Sequence, residues 1–172
     1  MQIQINDISG NTPPKFALFN LGFRAFFLGA SFFSLISISL WSAIFLFQFP
    51  LPMQSISATQ WHAHEMIFGY ALAVVAGFLL TAVKNWTGVQ TLHGKGLMLL
   101  FSLWAIARLT MLTGSSMLLV SAIFDLLFAL FLLVAIAQPI IKVGQWKQLI
   151  ILLVILFFIF IIRLIWIKKI GS

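Results

Sequence analysis

Long apolar runs separated by short polar segments are the feature of this chain that most constrains its fold. The runs are about 17 to 22 residues long, close to the roughly 20 residues with which an α-helix crosses a bilayer. Breakers such as "FPLP", "NWTG", "HGKG" and "TGSS" divide them. We therefore predict an all-α, polytopic integral membrane helix bundle with about five transmembrane helices, at residues 25–47, 64–83, 97–112, 117–137 and 149–167.

The composition agrees with a membrane protein and excludes several other classes. Of the 172 residues, 62% are hydrophobic and 8% are charged, whereas a soluble domain has roughly a quarter charged residues. The net charge is +7, but the ten Lys and Arg are scattered between the apolar runs, so no basic face for nucleic acid is expected. The chain has no cysteine, which excludes disulfides, iron–sulfur clusters and covalently attached haem.

Positive charge predicts the orientation of the bundle. Lysine and arginine precede the first span and lie in alternate loops, at Lys15, Arg24, Lys84, Lys95, Lys142 and Lys147. The loops at 48–63 and 113–116 have none, so the amino terminus is predicted to be cytoplasmic. The motif "WHAHEM" then lies on the outer side and His93 on the inner side. About 30 Å of hydrocarbon separates the two sides, so these residues cannot share one metal.

The two ends of the chain are expected to lie outside the five-span bundle at 25–167. Residues 1–24 form a cytoplasmic or interfacial amino-terminal segment, in which Pro13 and Pro14 prevent a helix. Residues 168–172 form a basic tail, and five spans would place Lys168 and Lys169 outside, where positive charge is disfavoured. We expect either an imperfectly inserted fifth span or a truncated chain.

The second span begins with two histidines and one of only three acidic residues. At about 100° per residue, small and polar residues share one helix side, at His62, Glu65, Gly69, Ala73, Ala76 and Leu80. Small residues allow another helix to approach, so His62 and Glu65 are predicted to face the interior and His64 to point away. If regular helix begins before His62, the two histidines cannot chelate one ion. If it begins near His64, an extended segment can bring both rings together.

Two roles remain open for these histidines. In the first, His62 or His64 ligates haem iron or copper, and Glu65 orients the ring or handles protons, because neutral imidazole suits these metals. In the second, both histidines lie in the headgroup region beside Trp61, where polar groups cost little compared with the bilayer centre.

Three charged residues, Arg108, Asp125 and Arg163, are predicted to lie within the outer half of the membrane. Such a charge costs about 2.5 to 3.5 kcal/mol at a helix centre, so it is usually paired or functional. One interpretation is an Arg108–Asp125 ion pair across the "TGSS" turn. In the other, Arg108 or Arg163 binds haem propionates or another anion, and Asp125 is left for the other cation.

Three stretches together resemble the amino-terminal half of a known family. "FALFNLGFRAFFLGA", "WHAHEMIFGYALAVVAGFLLTAV" and "NWTG" are similar to the family patterns L-G-F-R-P-F-F, W-H-A-H-E-M, G-F-L-L-T-A and P-N-W-T-G. These patterns belong to the NnrS family of polytopic bacterial inner-membrane proteins, which are associated with the nitric oxide response and with haem and copper. The chain departs from them at Ala25 and Lys84, where the family has proline. The resemblance covers most of residues 16–140 and fades after Ile141.

The resemblance implies a haem protein of the bacterial inner membrane, with copper as a second candidate cofactor, that protects against nitrosative stress. The predicted cofactor site comprises His62, His64, Glu65, Arg108 and Arg163, with His62 and His64 as metal ligands. Expected partners are the lipid bilayer and nitric oxide or metal–nitrosyl species. Family members are longer, so we expect the site to be incomplete here and to need a second copy of the chain or a second-half fragment.

Two other interpretations are kept beside this one. The first is a cofactor-free transport or structural bundle in which the outer polar cluster forms a proton or ion path. The second is a truncated remnant without function. The sequence identifies no catalytic residue, so it leaves open whether the protein is an enzyme.

Overall fold

The computed structural model describes residues 17–50 and 56–148, together with the single positions 150, 153, 157 and 161. Within these parts the chain is helical and has no strand. Four helices there are long and apolar enough to cross a membrane. They are Gly22–Phe47 (α1); Ala58–Thr87, which comprises α2 (Ala58–His64), a π-helical segment (Glu65–Ala71) and α3 (Leu72–Thr87); Gly94–Leu112 (α4); and Leu118–Lys142 (α5). The predicted helical membrane bundle is therefore confirmed.

Several predicted features lie outside the described residues. They include the amino-terminal segment up to residue 16, the tail at 168–172, Arg163, and the fifth span at 149–167 apart from four single positions. The membrane orientation likewise stays a prediction.

The second span begins earlier than the sequence predicts, at Ala58, because a capping box precedes it. The hydroxyl of Ser57 accepts a hydrogen bond from the backbone N–H of Gln60 over 3.2 Å. The Gln60 side chain in turn accepts one from the backbone N–H of Ser57 over 3.0 Å. These reciprocal bonds satisfy two donors that a helix start leaves free, so regular helix is present before His62.

The fourth span continues past residue 137, its predicted end, and includes a proline. Pro139 lies inside α5, which ends only at Lys142. Proline lacks a backbone N–H, so the helix loses one hydrogen bond there but is not ended by it. The turn that follows the helix contains Gly144 at φ 70°, a left-handed conformation that glycine adopts readily.

Small residues let a neighbouring helix approach α3 closely, as the sequence predicts, and that helix is α1. Ala73 and Ala76 are fully buried. A Cβ atom added to Gly22 would lie 2.6 Å from Cβ of Leu80, and one added to Gly77 would lie 3.0 Å from Cβ of Phe26. The close approach of α1 and α3 therefore depends on these glycines.

The main core lies between α1, α3, α4 and α5 and is rich in aromatic rings. Phe26 is central, because its ring centroid lies 5.6 Å from that of Phe101 and 5.8 Å from that of Phe128. Large apolar side chains also cover the outside of the bundle, and on α1 these include Phe32, Leu35, Phe45 and Leu46. An apolar outer surface of this kind is what lipid tails require of a spanning helix.

Candidate functional site

Four charged or ionisable side chains meet inside the bundle, and we call them the ionic cluster: His64, Glu65, Arg108 and Asp125. Nδ1 of His64 donates to Oε1 of Glu65 over 2.8 Å. Nη1 of Arg108 donates to both carboxylate oxygens of Glu65, over 3.0 Å and 3.1 Å. Nη2 of Arg108 donates to Oδ1 of Asp125, and Nε2 of His64 lies 3.9 Å from Oδ2 of Asp125. The ionic cluster thus joins three helical segments: the α2–π junction, α4 and α5.

The ionic cluster is buried, and its two carboxylates share one guanidinium. The exposed fraction is 1% for His64 and Glu65 and 3% for Arg108 and Asp125. Buried charges need partners, and here the guanidinium of Arg108 is a partner of both carboxylates.

The π-helical segment positions Glu65 toward α4. Within this segment Gly69 has no side chain, and a Cβ there would lie 2.4 Å from Cε1 of Phe33 and 3.1 Å from Oε2 of Glu65. The backbone carbonyl of Gly69 accepts a 2.8 Å hydrogen bond from the indole N–H of Trp104 on α4. A π-helical turn often occurs at a functional site, and here a side chain from a neighbouring helix bonds to it.

The predicted ion pair between Arg108 and Asp125 is confirmed. These residues lie on α4 and α5, which form a tight hairpin through "TGSS". Ser121 strengthens the hairpin, because its hydroxyl donates to the carbonyl of Ala107 over 3.0 Å. Arg108 has a second partner that the sequence did not predict, which is Glu65. The available signal was that Glu65 and Arg108 were both assigned to the outer half of the membrane.

Helical periodicity predicts that His64 points away from the interior of the bundle. In the structure His64 faces the interior. The prediction assumed uniform α-helical rotation through the whole span. Instead, π-helical geometry begins at Glu65, and both His64 and Glu65 are buried. His62 is only half-buried. Because regular helix begins at Ala58, before His62, the structure matches the case in which one ion cannot join both rings.

His62 faces α1 rather than the ionic cluster. Its ring stacks on Trp41, with 4.8 Å between centroids and 30° between planes. Nδ1 of His62 is buried and has no hydrogen-bond partner among the described residues. Two further buried polar atoms on these elements lack such a partner there, the hydroxyl of Ser37 and the indole nitrogen of Trp61.

The remaining candidates are not part of this cluster. Arg163 lies outside the described residues. His93 precedes the amino-terminal end of α4, whereas Arg108 is near the carboxyl-terminal end. Nδ1 of His93 lies 3.1 Å from the carbonyl oxygen of Thr91. Among the described residues no three His, Cys, Asp or Glu side chains are grouped to hold a metal ion.

The apolar helices and the buried ionic cluster define a multi-pass membrane protein with a polar centre near one end of the bundle. The family model described as "NnrS protein" matches residues 17–169. The chain therefore belongs to the NnrS family, and the match extends past Ile141, where the sequence analysis expected the resemblance to fade. No curated protein and no solved structure was found to match the chain.

Proposed function

We propose that this chain is a haem-binding membrane protein of the nitric oxide response, located in the bacterial inner membrane, and that His62 is its axial ligand. Membership in the NnrS family supports a role related to the nitric oxide response in general. The observation that carries the assignment of His62 is its buried Nδ1, which has no hydrogen-bond partner among the described residues. Protection against nitrosative stress is the physiological role that follows.

His62 suits an axial ligand better than His64 does. A metal ligand needs a ring nitrogen with a free lone pair, and both nitrogens of His64 face carboxylates, at 2.8 Å and 3.9 Å. Stacking on Trp41 leaves the nitrogens of His62 at the ring edge. Among the described residues, His62 is therefore the imidazole that would hold a haem iron.

Arg108 is a poor candidate for binding a haem propionate. Its guanidinium already contacts two buried carboxylates, Glu65 and Asp125. A third anion at this guanidinium would lie close to both carboxylates, and like charges repel. We assign Arg108 a positioning role, because it holds α4 and α5 against the segment that carries both histidines.

Haem bound at His62 would supply an iron that takes nitric oxide as a ligand. The chain's own contribution is a fixed imidazole beside an aromatic ring, within a bundle whose outer surface is apolar. Nitric oxide is a small apolar gas and partitions into lipid, so a site close to the bilayer meets it readily. Copper is the second candidate metal and is tested by the same experiment.

The proposal is tested by absorbance and metal analysis of the full chain purified in detergent with haem supplied. We expect a Soret band that His62→Ala abolishes or shifts, while His93→Ala at the other end of the bundle leaves it unchanged. His64→Asn tests the competing ligand. A band that is lost with His64→Asn but kept in His62→Ala contradicts the assignment, and a chain with neither haem nor copper contradicts a cofactor role.

The buried ionisable side chains of the ionic cluster favour one other function, a proton or cation path without a cofactor. Intramembrane ionisable residues commonly mark such paths. A chain that binds no chromophore but moves protons in liposomes, and loses this activity in Asp125→Asn, would support that function over haem binding.

A further inference from the structure

A cavity of about 370 Å³ opens at the end of the bundle far from the ionic cluster. Its polar lining comes from the α3–α4 loop, at Gln90, Thr91 and His93, and from α5, at Gln138 and Lys142. Arg108 lies 14 residues after Gly94 on α4, which corresponds to about 21 Å at 1.5 Å per residue. The cavity and the ionic cluster are therefore separate sites.

The wall formed by the α3–α4 loop is fixed by hydrogen bonds. The hydroxyl of Thr91 is buried and donates to the carbonyl of Leu80 on α3 over 2.7 Å. The Thr91 carbonyl lies 3.1 Å from Nδ1 of His93. On the opposite wall, Gln138 and Lys142 are one helical turn apart and share a face of α5. The cavity thus lies between a loop fixed by hydrogen bonds and the helix α5.

Positive charge at this end has no acidic partner within the described residues. Lys142 lines the cavity. Three further lysines are at this end of the bundle: Lys84 near the end of α3, Lys95 near the start of α4, and Lys147 just after α5. The chain has three acidic residues. Two of these are Glu65 and Asp125, which contact Arg108 in the ionic cluster, and Asp7 lies outside the described residues. A cavity with an unpaired lysine suits an anion.

Exposed tryptophans indicate that this end lies at the membrane–water interface. Trp86, near the end of α3, and Trp146, just after α5, are 46% and 59% exposed. The side chain of Gln145 donates to the carbonyl of Trp86 over 3.1 Å and ties the two segments together. Tryptophan is enriched at the headgroup level of bilayers, which is the level of lipid phosphates.

We propose that this cavity binds the phosphate group of an anionic phospholipid, with Lys142 as its ion-pair partner and Gln138 and His93 as further hydrogen-bonding groups. Basic pockets between spanning helices on the cytoplasmic side are known to take such headgroups. The apolar part of the lining, which includes Pro139 and Ala135, contacts the start of the acyl chains. A free phosphate ion has the same headgroup chemistry but gains nothing from this apolar part.

Native mass spectrometry of the full chain with added phosphatidylglycerol tests the proposal. Removing one lysine near anionic lipid weakens binding about fivefold, so we expect Lys142→Gln to lower phosphatidylglycerol retention by about that factor. Lys147→Gln is the matched control, because Lys147 is exposed at the same end but does not line the cavity. Phosphatidylcholine should be retained less by the unmodified chain.

Three outcomes would overturn the proposal. Equal losses in Lys142→Gln and Lys147→Gln would show a general effect of basic surface. Equal retention of phosphatidylcholine and phosphatidylglycerol would show that the headgroup charge is not recognised. Displacement of the lipid by inorganic phosphate at equal concentration would show that the site takes the ion from solution. Both lysines are exposed, and unchanged thermal unfolding confirms that the variants are folded.

Discussion

At the scale of single residues, Arg108 is the charge on which the ionic cluster depends. It donates to Glu65 from one helix and to Asp125 from another, and it is 3% exposed. Without it, the buried carboxylates of Glu65 and Asp125 would each lose an ion-pair partner. Removing one partner of a buried ion pair costs much more than the pair itself contributes, because the other charge is left uncompensated.

We therefore predict that Arg108→Met lowers the free energy of unfolding by about 3 to 5 kcal/mol. Unfolding in mixed detergent micelles measures this change. Glu65→Gln is the informative comparison, because it leaves Arg108 and Asp125 as a balanced pair and should lower the free energy by only about 1 to 3 kcal/mol. A larger loss in Glu65→Gln than in Arg108→Met would contradict this account of the ionic cluster.

Gly69 is the residue whose missing side chain makes room for Phe33 and Glu65. We predict that Gly69→Ala destabilises the protein by about 1 to 3 kcal/mol, as overpacking of a core does. Gly96→Ala is the control, since its nearest neighbour is the end of the flexible Leu92 side chain, at 2.9 Å. The control should be close to neutral in the same unfolding measurement. Equal losses of unfolding free energy at the two positions would show that crowding against Phe33 and Glu65 is not the cause.

At the scale of elements, the π-helical segment is what the sequence could not predict. Apolar run lengths predict the spans, and the small residues around Ala73 predict that another helix packs closely there, without saying which one. The position of His64 was wrong because it depends on how the helix turns at Glu65. The π-helical turn is stabilised by contacts with other helices, including the hydrogen bond from Trp104 on α4. Helical periodicity within one span gives no information about such contacts.

We predict that Trp104→Phe loosens the π-helical segment while keeping the aromatic contact with Phe33, which now lies 5.9 Å away between ring centroids. The variant loses one buried hydrogen bond to Gly69, worth about 1 kcal/mol. Hydrogen exchange should become faster in the amides of Glu65–Ala71. Trp86→Phe, at an exposed site, should leave these amides unchanged, and equal effects of the two variants would rule out a specific role for the indole N–H.

At the scale of the whole molecule, the four described spans and the loop charges predict which end faces the cytoplasm. The chain has no cysteine, so single cysteines can report the orientation directly. We predict that a membrane-impermeant thiol reagent labels Thr113→Cys in intact cells and labels Gln90→Cys only after the inner membrane is permeabilised. Both positions are exposed. The reverse pattern would invert the predicted orientation.

Much of the bundle follows from the sequence because burial in lipid leaves few alternatives to helices. The pairing of Arg108 with Asp125 also follows, since a short turn joins their helices and opposite charges cannot stay apart in lipid. The contact of Arg108 with Glu65 spans 43 residues and requires knowing which helices are neighbours. The cavity lined by Lys142 also could not be predicted from the sequence, because it forms between a loop and a helix that are distant in sequence.

The ionic cluster also has a consequence for biogenesis. Synthesis begins at the amino terminus, so Glu65 reaches the translocon before Arg108, 43 residues later, has been made. Arg108 and Asp125 are 17 residues apart and can enter as a hairpin whose two charges cancel. The helix with Glu65 enters first and has the neighbouring His64 as a partner within its own span. We expect the contact of Glu65 with Arg108 to form only after α4 has emerged, so the order of assembly depends on where one arginine stands in the chain.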